Sequence, residues 1–330
     1  MGSKKIAVII VNWNGREHLS TCLRSLSAQR YDNFSVILVD NGSCDDSVKY
    51  VHDTFPAVTI LEQKMNLGFA EGNNVGIRHA LRDPSVRYVA TLNNDTEVAP
   101  GWLAELVHAV KSDARIGAAC SKMMFFQKRN VVDSAGDFLL PGTMKVVTRG
   151  YGEDDRGQYD QVEECFSARA GAALYRREML EDTQLAGDYF DSRYFAYVED
   201  TDLSIRARLR GWHVVYAPGA VVYHKVAATS SKLSYVFRRY HSGRNRILTA
   251  LKDYPPSLWI KSLRGTDSID RDYRLPLGQA ILTYLRIVRS VVALLPRTVR
   301  QRKYIQSRRT VSMAEVRSWP RCFELPTAAR

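Results

Sequence analysis

The chain predicts an α/β fold: a mostly parallel sheet with helices on both faces, followed by a C-terminal helical, basic extension. Three observations lead there. Continuous β-branched runs alternate with segments of helical spacing, the pattern of strands buried on both faces. Each run ends in turn-forming polar residues, and open α/β sheets bind ligands at that edge. The charge is also split: residues 1–231 hold 26 Lys+Arg against 29 Asp+Glu, net −3, whereas residues 232–310 hold 18 against 4, net +14.

The elements follow in order. "KIAVIIVNWNG" reads as a first strand ending at Asn12 and Asn14, and "REHLSTCLRSLSAQ" as a helix with Leu19, Leu23 and Leu26 on one face. "FSVILVDNGSCDDS" repeats the strand design and ends at Asp40 and Asn41. "VTILEQ" precedes "NLGFAEGNNVGIRHAL", a Gly/Asn loop at Asn66 running into a helix. "RYVATLNNDTEV" closes the series with Asn93, Asn94 and Asp95, ahead of Pro100. Residues 121–170 are glycine-rich and irregular, and connections this long are usually functional or disordered. "GAALYRREML" restores order and leads to "YFAYVEDTDLSIRARLRGW", where Ile205, Leu209 and Trp212 anchor a helix.

A chain of 330 residues suffices for one large domain and an appendage. Its five cysteines are odd in number, scattered and without a CxxC pair, which argues against a disulfide framework or zinc site and fits a reducing cytosol. The apolar run Ile6 to Val11 is too short for a signal peptide and lacks a cleavage site. The longest apolar stretch, near 276–296, is interrupted by Arg286 and Arg289, so a membrane span is not expected.

Several positions can carry chemistry, each with a plainer alternative. Asp40 at a strand end can accept the N3–H of uracil or thymine, with Asn41 or Gly42 approaching the nucleoside; an Asx turn would use the same residue. Asp95 beside amide oxygens suits Mg²⁺ or Mn²⁺ that also takes diphosphate oxygens, or it is a turn or a cap ahead of Trp102. His224 in "VVYHK" is a ligand or a satisfied structural histidine. Glu199, Asp200 and Asp202 raise one another's pKa values unless cations or hydrogen bonds compensate, although acidic residues also favour a helix start.

Taken together, "VIIVNWNGREHLSTCLRSL", "VILVDNGSCDDS", "NLGFAEGNNVGIRHAL", "LNNDTEVAPGWL", "GAALYRREML", "YFAYVEDTDLSIRARLRGW" and "VVYHK" span residues 8–225 in a recognisable order. The chain resembles the inverting nucleotide-sugar glycosyltransferases of family 2, which have the GT-A fold, and within them the rhamnosyltransferase-like branch that builds bacterial surface polysaccharides. The resemblance implies a catalytic domain over 1–231 and a basic, amphipathic helical region over 232–330. It implies Asp200 as catalytic base; Asn12, Asp40, Asn41, Asn66 and Asn94 around the nucleotide; Asp95 and His224 as ligands of Mg²⁺ or Mn²⁺; and Glu199, Asp202 and Tyr197 at the acceptor. Asn93 stands where many members carry the first Asp of their metal motif, which leaves the site less acidic.

In the basic region, Leu277, Ile281, Tyr284, Leu285, Val288, Val292 and Leu295 form one helical stripe, with Arg286, Arg289, Arg297 and Arg300 opposite. That pattern reads as binding to an anionic membrane surface, with packing on the catalytic domain or on a second subunit of a homo-oligomer as the alternative. Nucleic acid also suits basic residues with interleaved aromatics, but is not expected as a partner. The expected protein is cytoplasmic and peripheral at the inner face of the cytoplasmic membrane. It would move a sugar, rhamnose or another hexose, from a dTDP- or UDP-sugar donor to a glycan acceptor that is expected to be lipid-linked. The alternative is a non-catalytic nucleotide-sugar-binding or scaffold subunit of a polysaccharide assembly complex.

Overall fold

The computed structural model describes residues 5–225, 234–263 and 275–325. In chain order the first half runs β1 (Lys5–Asn12), α1 (Arg16–Ser27), β2 (Phe34–Asp40), α2 (Ser47–Thr54), β3 (Thr59–Glu62), α3 (Gly68–Ala80), β4 (Val86–Asn93), β5 (Thr96–Val98), α4 (Trp102–Lys111) and β6 (Ile116–Phe125). The irregular segment contributes the short strands β7 (Val132–Ser134), β8 (Asp137–Leu139), β9 (Val146–Thr148) and β10 (Glu163–Glu164). Then come β11 (Ala172–Arg176), α5 (Arg177–Thr183), α6 (Glu199–Leu209) and β12 (His213–His224). Among the described residues four helices follow: α7 (Tyr235–Asp253), α8 (Pro256–Leu263), α9 (Leu277–Ser307) and α10 (Met313–Cys322).

The main sheet has the order β10-β12-β6-β11-β4-β1-β2-β3. Pairing is parallel among β4, β1, β2 and β3 and between β6 and β12, while β11 runs antiparallel between β4 and β6. The apolar runs are continuous because both faces are covered: Ile10, Leu19, Trp102 and Leu106 lie in the core under α1 and α4, and Ile9, Val39, Ile77 and Leu203 in the core under α3 and α6. Register fixes the functional edge. Asn12 pairs with Asp40, Val11 with Asn93, and His224 with Thr96, so the polar ends of β1, β2, β4 and β12 open on one side.

A third core joins the sheet region to the C-terminal helices. Leu139, Met144, Phe166, Ile205 and Leu209 pack there with Ala250, Tyr254 and Leu258 of α7 and α8, Ile305 of α9, and Val316 and Trp319 of α10. The boundary expected at residue 231 lies outside the described residues. The stripe expected on α9 is present but points outward: Leu277, Leu285 and Val292 are 77%, 57% and 62% exposed. The face that packs inward carries Thr283, Ile287, Thr298 and Ile305 instead. By length and composition alone, α9 is long and apolar enough to cross a membrane.

Candidate active site

At the functional edge lies a cavity of about 650 Å³. Asn41, Asn66, Asn94, Asp95, Tyr197, Glu199, Asp200 and His224 all line it, so eight of the eleven expected site residues converge. Asn12 and Asp40 lie just beneath, as a buried polar ladder. Asn12 Oδ1 accepts from Asn94 Nδ2 at 2.7 Å, and Asn12 Nδ2 donates to Asp40 Oδ1 at 3.3 Å. Asp40 Oδ2 accepts the Ser43 N–H at 2.9 Å, the side-chain-closed turn weighed from sequence. Asn41 bridges to the next loop, donating to Asn66 Oδ1 at 3.1 Å and to the Gly68 carbonyl at 2.9 Å.

Asp95 and His224 meet because β5 pairs with the end of β12. His224 Nε2 stands 3.4 Å from Asp95 Oδ1, and its Nδ1 lies 2.9 Å from Asp133 Oδ2. Burial opposes a charged imidazole, but the two carboxylates outweigh it and raise His224 to about 9. Burial also disfavours an ionised Asp133, which His224 and Arg169 nevertheless hold below the usual carboxylate range. Among the described residues Asp95 Oδ1 is buried with no hydrogen bond beyond its 3.4 Å ion pair with His224. An orphaned carboxylate oxygen beside a histidine whose other nitrogen is held by a second carboxylate is the arrangement a divalent cation takes. The donor set fits Mg²⁺ or Mn²⁺ completed by diphosphate oxygens, although among the described residues no three His, Cys, Asp or Glu side chains cluster as a metal site.

The three crowded carboxylates have three different environments. Asp200, at the head of α6, is half-buried in the cavity wall; its Oδ2 accepts the Ala170 N–H at 3.2 Å and its Oδ1 the Thr201 N–H at 2.7 Å. Oδ1 also stands 3.5 Å from the Thr201 hydroxyl, which leaves Oδ2 with a further lone pair for a substrate proton. Glu199 is pushed well above the usual range by burial and then by Asp200, and its Oε2 has no hydrogen-bond partner among the described residues. Asp202 corrects the sequence expectation: it is fully buried, absent from the cavity wall, and cannot touch an acceptor. Its Oδ2 takes Arg206 Nε at 2.9 Å and its Oδ1 contacts Lys252 Nζ, and these cations hold it ionised against the penalty of burial.

The sequence reading missed several wall residues. Trp13, Arg169 and Asp137 line the cavity, as do Phe237, Ser242, Arg246 and Thr249 of α7. Burial, opposed by Arg169 and reinforced by Asp200, raises Asp137 to about 6. Asp133, Asp137 and Arg169 come from the irregular 121–170 segment, where glycine content and length marked the segment but no single residue. The α7 residues lie in a stretch that composition marks only as basic. The loop before Asp200 is strained: Phe195, Tyr197 and Val198 have φ of 63°, 71° and 73°, at about 1–3 kcal/mol each.

A family model described as glycosyl transferase family 2 matches residues 7–183. The N-acetylglucosaminyl-diphospho-decaprenol L-rhamnosyltransferase of Mycobacterium tuberculosis (strain H37Rv) is 28% identical over 287 residues, which cover 79% of this chain and 88% of that protein. Among solved structures, S. aureus TarS 1-349 in complex with UDP superposes with a TM-score of 0.58 at 17% identity, covering 92% of this chain and 87% of that one. GalNAc-T7 with UDP, GalNAc and Mn²⁺ gives a TM-score of 0.60 at 15% identity over 75% of this chain; the match spans only 48% of GalNAc-T7. These structural likenesses establish the GT-A fold.

Proposed function

Since this chain belongs to glycosyl transferase family 2, we propose that it transfers a deoxyhexose or hexose, rhamnose first among them, from a pyrimidine-nucleotide donor to a lipid-linked glycan acceptor in cell-envelope polysaccharide synthesis. The observation that carries this reading is the pairing, in one cavity, of a half-buried carboxylate held by backbone N–H groups, Asp200, with the Asp95–His224 pair. The rhamnosyltransferase of M. tuberculosis supports the choice of sugar and of a lipid diphosphate acceptor.

In the proposed reaction the acceptor hydroxyl gives its proton to Asp200 as its oxygen forms the new bond at the anomeric carbon. The bond to the nucleoside diphosphate breaks on the opposite face, so the configuration inverts. A positioned general base contributes about 10²–10⁴-fold. Asn41 and Asn66 hold the nucleoside end, above the buried Asp40 that closes the turn at Ser43, and Glu199 and Tyr197 line the acceptor side. A divalent cation held by Asp95 and His224 would neutralise charge on the departing diphosphate. The exposed stripe of α9, with Arg286 and Arg289 in solvent, would rest on an anionic membrane, where a lipid-linked acceptor resides.

The test is a panel of nucleotide sugars and polyprenyl-diphosphate-linked primers assayed with Mn²⁺. Asp200→Asn should abolish transfer while nucleotide affinity stays within about twofold, and EDTA, Asp95→Ala or His224→Ala should remove metal-stimulated activity. Near-normal turnover by Asp200→Asn would overturn the assignment of the base. Nucleotide binding with no turnover on any donor and primer would favour a non-catalytic subunit.

A further inference from the structure

If Asp200 is the base, the strained segment in front of it must be held by its surroundings, because left-handed backbone at three non-glycine residues persists only where packing and hydrogen bonds over-determine it. One clamp comes from the donor side. The Phe195 carbonyl accepts from the Ala70 N–H at 3.1 Å, and Gly68 approaches so closely, at φ +83°, that a Cβ there would stand 2.5 Å from the same oxygen. A second clamp is Asn245 of α7, which is fully buried and works beside Arg244, whose Nη2 donates to the carbonyls of Arg193 and Tyr194. Its side-chain amide donates to the carbonyls of Tyr194 at 3.0 Å, Ala196 at 2.9 Å and Tyr197 at 2.8 Å. Its own Oδ1 accepts from Arg244 Nε at 2.9 Å, which sets the N–H end toward the loop. Two N–H groups serving three carbonyls cannot be replaced by any side chain of similar volume that lacks donors.

We propose that Asn245 is a positioning residue for sugar transfer: its amide fixes the 194–198 loop, and through it the orientation of Asp200 at the head of α6. The proposal rests on the reading of Asp200 as base. Without these bonds Tyr197 and Val198 relax toward negative φ, the peptide leading into Glu199 and Asp200 turns, and the carboxylate moves relative to the bound acceptor. A displacement of about 1 Å at a reacting group costs on the order of 10²-fold in rate. The nucleotide residues at the ends of β1 and β2 do not touch Asn245, so donor affinity should be spared.

The experiment uses the full chain and two variants, Asn245→Asp, which keeps the shape and replaces the donors with acceptors, and Asn245→Ala. UDP and dTDP affinity, donor KM and kcat per folded molecule are measured with Asp200→Asn alongside. Both Asn245 variants should lose about 10²-fold in kcat with nucleotide affinity and donor KM within about threefold of wild type. Equal loss of affinity and rate, or kcat within threefold, overturns the positioning role. If Asp200→Asn stays active, the base assignment itself fails, a result distinct from an active Asn245→Asp beside an inactive Asp200→Asn. Hydrogen exchange in the unmodified chain gives a check that does not depend on either variant folding: the Ala196 and Asp202 amides, bonded to Tyr194 and Val198 carbonyls, should exchange as slowly as the middle of α7. Exchange at the rate of exposed loops overturns the proposal.

Discussion

Helices α7 and α9 lie side by side in the basic part of the chain and use their composition in opposite ways. On α7 the cations face inward. Arg244 donates to the carbonyls of Arg193 and Tyr194, and Lys252, fully buried, pairs with Asp191 at 2.8 Å and with Asp202. On α9 the arginines at 286, 289, 297 and 300 are exposed, and so are Val288, Val292, Leu295 and Val299 between them. The two helices meet closely where a Cβ at Gly243 would stand 3.0 Å from Ile287 Cδ1, and further along Arg302 and Gln306 of α9 donate to the carbonyls of Leu251 and Asp253. A charge excess summed over a segment therefore says nothing about its use. What decides is whether each cation has an acid or a carbonyl to meet inside the fold, because burying an unpaired charge costs several kcal/mol.

Removing α7 and its neighbours should have the largest effect. A chain ending at Ser231 loses the partners of Phe166, Ile205 and Leu209 in the third core, where each large apolar side chain contributes about 1.5–3 kcal/mol. It also loses the α7 wall of the cavity. Such a chain should show no cooperative unfolding by circular dichroism and no transfer; a soluble, active fragment would mean that α7 is as dispensable as the outer face of α9. Next comes Lys252→Met, which leaves Asp191 and Asp202 with fewer cations in a buried site. It should destabilise the chain by about 3–5 kcal/mol in urea unfolding, a loss that a surface lysine would not show.

A smaller effect concerns His241, on the inward face of α7. Burial and then Arg244 lower its pKa from 6.5 to about 4, and its ring lies 4.3 Å from that of Phe237 and 5.4 Å from that of Phe195. In the unfolded chain the imidazole takes up a proton near pH 6.5, whereas the folded chain resists until about pH 4. Between those values the unfolded state holds more protons, so the contribution is complete above pH 6.5 and is lost as pH falls through 4. Discounted for the solvent that reaches the ring edge, the loss is about 1–2 kcal/mol. Urea midpoints measured from pH 7 to 4.5 should decline less in His241→Phe than in the wild type. Parallel declines would place His241 in solvent, with the arginines of α9.

The sheet was legible from sequence because strands buried on both faces must be continuous apolar runs, and register then carried Asn12, Asp40 and His224 to one edge without further information. Asp202 was misread because proximity along the chain said nothing about direction: two positions on, about 200° around the helix, it meets Arg206 and Lys252 while Asp200 faces the cavity. Asp133 and Asn245 were invisible for a different reason. Each acts through a partner more than forty positions away, Asp133 on His224 and Asn245 on the loop from Tyr194 to Tyr197, and no local pattern marks such pairs. On α9 the periodicity was read correctly, yet Thr283, Ile287, Thr298 and Ile305 won the inward face: Ile287 approaches Gly243 of α7, Thr298 accepts from Arg193, and Ile305 enters the third core.

For folding, the smallest effect is expected on the outer face of α9, and it sharpens the comparison most. Leu285 and Val292 are 57% and 62% exposed, so the double change Leu285→Glu, Val292→Glu should alter stability by no more than about 0.5 kcal/mol in urea. The same change should abolish flotation with vesicles containing anionic lipid, because it removes apolar area and places two negative charges against a negative surface. Arg297→Gln, Arg300→Gln should act differently. Each basic residue near such a surface contributes about 1 kcal/mol, and the attraction fades beyond a Debye length of about 10 Å at 0.1 M salt. That pair should weaken binding at low salt and converge with the wild type at high salt, where only burial of the stripe remains. If the acidic double variant still floats, or if it unfolds early, the stripe is packed by something other than lipid and α9 belongs with α7; if it stays folded and is lost from the vesicles while transfer to a soluble primer continues, the two helices divide the work between shaping the site and placing it at a membrane.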